Sequence, residues 1–157
     1  MDAPTTDRLT ALAEVLLLVA GMTGCSQYGS GPGTSALSKS WMLGIERMRG
    51  DPGPELPFTN RFITDLSAMP KTQVVFLGSD RNGFLFNAWS GGKVLVSPWL
   101  HHDGTCMTLT YTIYLSGQQQ AVFGLVIAPA PAGAESDSAC VDRAAGQFYQ
   151  ALAAQGL

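Results

Sequence analysis

The run from Met107 to Tyr114 constrains this chain more than any other. Leu109, Tyr111 and Ile113 alternate there with Thr108, Thr110 and Thr112. A period of two is that of a β-strand with one face in a core and the other toward water. Such a strand needs neighbours along its edges and a layer over its apolar side. The flanking sequence supplies the neighbours. Gln73–Leu77 is a β-rich run closed by Gly78-Ser79-Asp80, and Phe84–Trp89 follows Asn82-Gly83, a hairpin signal between apolar runs. Lys93–Ser97 comes after Ser90-Gly91-Gly92, and Ser116-Gly117-Gln118 turns into Ala121–Ile127. Connections this short imply antiparallel pairing, because parallel strands need longer crossovers.

Helical spacing supplies the covering layer. Leu37, Trp41, Ile45 and Met48 predict an amphipathic helix over roughly 35–49, broken by Gly50-Asp51-Pro52-Gly53-Pro54. A second helix is expected at about 58–68, capped by Thr59 or Asn60, with Phe62, Ile63 and Leu66 on one face and Pro70 beyond its end. After a Pro/Ala/Gly/Ser stretch over 128–138, Val141, Ala145, Phe148 and Leu152 mark a C-terminal helix. The expected fold is α+β: an antiparallel sheet of about five strands with helices packed on one face.

The 157 residues suffice for one ordinary domain, and 46% hydrophobic against 13% charged content is that of a folded chain. The formal net charge of −3, with nine basic residues scattered, argues against a nucleic-acid partner. Three cysteines are an odd count, and the N-terminus offers an explanation. Val15–Met22 is an apolar run too short to span a bilayer, and Thr23-Gly24-Cys25 follows it. The order of apolar core, small residues and cysteine resembles the lipobox of bacterial lipoproteins, in which the cysteine is lipidated and becomes the mature N-terminus. On that resemblance residues 1–24 are a removed signal, Cys25 carries the lipid, 25–36 form a Gly/Ser-rich tether and 37–157 form the domain. The acidic Asp2, Asp7 and Glu14 depart from the positive start such signals usually have. With Cys25 lipidated, Cys106 and Cys140 remain as a pair in an exported chain, where a disulfide would contribute on the order of 3–4 kcal/mol.

Candidate chemistry concentrates in one segment, Pro98-Trp99-Leu100-His101-His102-Asp103-Gly104-Thr105-Cys106, which holds both histidines of the chain. Several readings compete for it. A metal site needs three or four ligands, and three consecutive residues do not easily surround one ion. A Cys106 nucleophile needs a base and a group that orients the base, and an oxidising compartment disfavours a free thiol. A surface turn with solvated histidines and a bridged cysteine needs neither.

From about Phe58 to Leu152 the order of features resembles the family of inhibitors of vertebrate lysozyme, exported bacterial proteins that insert a loop into the lysozyme cleft. The residues carrying the likeness are His102-Asp103 followed by Cys106, the strands on either side, and Gln120-Ala121-Val122-Phe123-Gly124-Leu125-Val126. Trp99 stands where that family has its first loop cysteine, and Gly104-Thr105 intervenes before Cys106, so the family's loop disulfide has no counterpart. The resemblance implies an inhibitory loop of Trp99, Leu100, His101, His102 and Asp103. In it His102 would hydrogen-bond the target's carboxyl groups, Asp103 would hold the imidazole, and Trp99 and Leu100 would touch the cleft rim. It implies no catalytic residue, metal or cofactor. The partner would be a peptidoglycan hydrolase, a lysozyme-like muramidase or an amidase, met at the periplasmic face of a bacterial envelope by a lipid-anchored or soluble inhibitor or immunity protein. Two rivals remain: an envelope assembly or secretion-accessory lipoprotein that uses an apolar patch, and a small hydrolase using Cys106 or a metal at the histidines.

Overall fold

The computed structural model describes residue 37 and residues 39–155, apart from 90, 132 and 134. The apolar run at 15–22, Cys25 and the 25–36 segment lie outside the described residues. Among the described residues eight elements follow one another: β1 (Trp41–Ile45), α1 (Pro57–Ser67), β2 (Thr72–Phe76), α2 (Arg81–Phe86), β3 (Gly92–Leu100), β4 (Met107–Leu115), β5 (Gln118–Ile127) and α3 (Asp137–Ala153). The five strands form one sheet in the order β2-β1-β3-β4-β5. The fold is α+β, and the sheet is mixed. β3–β4 and β4–β5 are antiparallel, whereas β1 runs parallel to both β2 and β3.

Two expected elements exchange roles. The segment expected as a helix over 35–49 contains the interior strand β1, between β2 and β3. Leu37, Trp41 and Ile45 are four residues apart, and four is also an even number, so the spacing suits one face of a strand as well as one face of a helix. Leu43 completes that face, and Met42 points to the opposite one, into a second apolar cluster with Leu77, Phe84 and Leu95. Every residue of β1 is buried because the sheet is covered on both sides here. Two-sided burial leaves no polar alternation to read.

Conversely, the expected strand at 84–89 begins inside the short helix α2. Asn82-Gly83 makes no hairpin, because the Asp80 carboxylate accepts the Gly83 N–H at 2.9 Å and caps a helical turn. At the other end the buried Lys93 ammonium donates to the carbonyls of Phe84, Leu85 and Asn87. Gly44 of β1 leaves room for the Phe84 ring, which a Cβ there would meet at 2.8 Å. α2 therefore sits on the opposite side of the sheet from α1 and α3.

The main core lies between the sheet and the α1/α3 pair. Phe148 of α3 meets Phe62 of α1 at 6.5 Å between ring centroids, and Tyr111 of β4 edge-on at 5.1 Å. Arg61 and Asp142 pair across the two helices at the surface. α1 takes its cap from a distance. Leu56, before the helix, provides no side-chain cap; the buried Asp51 accepts the N–H groups of Phe58 at 3.1 Å and Thr59 at 2.7 Å, and the Thr59 hydroxyl as well. Thr59, expected as the cap itself, instead accepts the Met48 N–H. Replacing Asp51 by alanine strips three donors of one buried acceptor, so urea unfolding should show a loss of about 2 kcal/mol. A loss within the scatter of surface substitutions, roughly 0.5 kcal/mol, would mean that Asp51 does not cap α1.

Candidate functional site

The segment singled out in the sequence splits between strand and turn. Pro98, Trp99 and Leu100 belong to β3, opposite Leu109, Thr108 and Met107. The Pro98 carbonyl accepts the Arg49 N–H at 3.0 Å, and Leu100 N–H donates to Arg49 O at 2.9 Å. The remaining turn is closed by His101 N–H donating to Cys106 O at 3.0 Å. Leu100 is 1% exposed and belongs to the core, not to the surface. Trp99 is exposed, its ring centroid 4.4 Å from that of His101 with the two planes tilted by 39°, and the Arg49 guanidinium lies 5.4 Å from its centroid.

The two histidines serve different neighbours. His101 Nε2 lies 3.1 Å from the Thr108 hydroxyl on the outer side of β4. His102 reaches across the molecule: its Nε2 is 2.7 Å from the Gly50 carbonyl, and its Nδ1 is 3.2 Å from an Asp137 carboxylate oxygen at the start of α3. A carbonyl only accepts, so Nε2 carries a proton. Asp103 does not hold this imidazole. Its carboxylate accepts the Thr105 hydroxyl and N–H, a local turn that also draws its pKa below the usual aspartate range. Asp137 stands where the resemblance placed Asp103.

Cys106, immediately before β4, and Cys140, in the first turn of α3, form a disulfide, as the cysteine count suggested. Beside it opens a cavity of about 330 Å³ lined by His101, His102, Thr105, Glu135, Asp137 and the two half-cystines. Glu135 lies at its wall, gripped by Arg143: Nε donates to one carboxylate oxygen at 2.9 Å and Nη2 to the other. This fork, with side chains 11% and 20% exposed, holds Glu135 well below the ordinary glutamate range despite the opposing pull of burial.

Sequence reasoning had missed Gly50, Glu135, Asp137 and Arg143. Gly50 read only as a helix breaker, yet its φ of +81° and the Leu100 carbonyl, 2.3 Å from where a Cβ would stand, leave no room for a side chain. Nothing local in the sequence pairs it with His102, fifty-two positions on.

A carboxyl whose pKa is depressed by folding stabilises the fold above its unfolded-state pKa and ceases to do so as pH falls through its folded-state pKa. Wild-type protein should therefore lose more stability between about pH 5 and pH 3 than Glu135→Gln does. Urea midpoints across that range measure it, and parallel curves would show that the Glu135–Arg143 fork carries no net pH dependence.

No family model matches the chain, and no curated protein matches it. Among solved structures, one described as an uncharacterized protein is similar at 15% identity, over 74% of this chain and 95% of that one, with a TM-score of 0.37.

Proposed function

We propose that the domain is an exported, lipid-anchored binding protein that occupies the cleft of a peptidoglycan-degrading enzyme, offering it the 101–106 turn and the adjoining Trp99. One observation carries this reading: half-exposed His102 already faces a carboxylate through Nδ1 while its other nitrogen is anchored on backbone. An imidazole so placed can exchange its internal carboxylate for one from a target, and muramidase clefts present two. Buried Leu100 leaves the apolar contact to Trp99 and its Arg49 partner. Bound to backbone through Thr105, Asp103 shapes the turn rather than the ring. The disulfide suits an oxidising compartment, and no described helix is long and apolar enough to cross a membrane. The role is occupation of a site, with no bond made or broken.

A second reading has its own support. The outer face of β4 and β5 carries Thr108, Thr110 and Thr112 beside exposed Val122, Gly124 and Val126, with no charged side chain among them. An uncharged patch on an edge strand suits an envelope assembly or secretion-accessory role.

Lysis assays with c-type lysozyme, related muramidases and amidases test both. Micromolar protein should slow at least one, and the His101/His102/Asp103 triple alanine variant should weaken that inhibition at least about tenfold. If no enzyme is slowed, the inhibitor reading fails. A binding partner lost through Val122→Lys and Val126→Lys, but kept by the triple variant, would establish the second reading instead.

A further inference from the structure

The cavity beside the disulfide has a chemistry that cleft occupation does not use. The sulfurs of Cys106 and Cys140 and a carboxylate oxygen of Glu135 lie within 4.8 Å of one another. Two sulfurs and a carboxylate are a ligand set for a divalent, thiophilic cation, and the remaining tetrahedral position would face a cavity with room for water. We propose that reduction of Cys106–Cys140 turns this structural staple into a Zn²⁺ site formed by the two thiolates and Glu135.

The geometry asks little of the fold. Two Zn–S bonds of about 2.3 Å at a tetrahedral angle place sulfurs roughly 3.8 Å apart. Starting from an S–S bond of about 2.0 Å, each sulfur moves about 1 Å, a side-chain adjustment between Cα atoms 5.6 Å apart. Both half-cystines are 3% exposed, while the cavity they line gives a reductant and an ion a way in. Glu135 is already oriented by the Arg143 fork, as carboxylate ligands commonly are by an outer hydrogen-bonding partner. Its lone pairs outnumber the two that Arg143 uses, so it can bind metal without leaving that partner.

The balance is simple. A dithiol reductant gives two electrons and two protons: its own sulfurs become a disulfide, and Cys106 and Cys140 become thiols. Zn²⁺ then displaces both thiol protons as it binds. Exchange with a disulfide oxidant reverses the sequence: the oxidant takes two electrons and two solvent protons and leaves as a dithiol, the Cys106–Cys140 bond re-forms and the ion is released. Sheet and α3 are thereby joined in either redox state, by a covalent bond in one and by a metal in the other. The inference does not rest on the proposed binding role.

Cobalt is the probe, since thiolate-bound tetrahedral Co²⁺ has a charge-transfer band that oxygen ligands do not give. The full chain carrying Cys25→Ser, whose remaining cysteines are Cys106 and Cys140, is reduced with a phosphine, which is oxidised to its oxide while water supplies the oxygen and the protons. It is then titrated with Co²⁺ and afterwards with Zn²⁺. The expected result is a thiolate band saturating at one ion per chain, bleached by Zn²⁺, missing from the oxidised protein and from Cys106→Ser or Cys140→Ser. Glu135→Ala should weaken binding at least about tenfold. If reduction unfolds the chain, one equivalent of Zn²⁺ should restore its far-ultraviolet circular dichroism. Absence of the band in reduced folded protein, its persistence in either serine variant, equal affinity in Glu135→Ala, or failure of Zn²⁺ to restore a lost fold would each overturn the proposal.

Discussion

The Cys106–Cys140 bond is the constraint on which the functional end of the molecule depends. It ties the start of β4 to the first turn of α3, two elements that also meet where Phe148 packs on Tyr111 but whose most extensive attachments lie elsewhere: β4 between β3 and β5, and α3 against α1. A bridge closing a loop of this size contributes on the order of 3–4 kcal/mol, a large share of the 5–15 kcal/mol that holds a typical domain together. The half-exposed His102–Asp137 contact is worth no more than about 1 kcal/mol. Scale decides the order of dependence. The bond brings Asp137, Glu135 and Arg143 to the turn, and the weaker polar contacts then choose the rotamers.

Strand β4 could be read directly because its alternation reports one wet face and one dry face, and α1 and α3 could be read because each has a single apolar stripe. β1 could not. Its core-facing residues fall at intervals of four, and burial on both sides removes the polar residues that would have distinguished a strand from a helix. α2 was hidden for another reason: its C-terminal carbonyls are held by Lys93 from β3, and Phe84-Leu85-Phe86 looked like a β run even though Asp80, the local cap, stood just before it. Those two exchanges kept the number of strands while changing which segments supply them.

The candidate site was legible only in part. Cysteine parity pointed to the bridge, and the concentration of His101, His102 and Asp103 pointed to the right turn. The roles inside the turn depend on contacts distant in sequence. His102 is oriented by Gly50 and Asp137, while Asp103 spends its lone pairs on Thr105. What emerges is a preorganised polar end on a rigid sheet, where ordering costs are met on folding rather than on binding. Trp99 and His102 are then held at the surface already positioned.

Amide hydrogen exchange compared between oxidised and reduced protein tests this dependence most directly. The account predicts that reduction raises exchange at His101, whose N–H closes the turn onto Cys106 O, and at Ala139 and Cys140 in the first turn of α3. Val96 and Tyr111, deep in the sheet, should stay protected. This comparison is made with metal removed by a chelator, so that the thiols have nothing to hold. Unchanged protection at His101, Ala139 and Cys140 in the reduced, metal-free chain would contradict the claim that the bridge organises this end of the molecule.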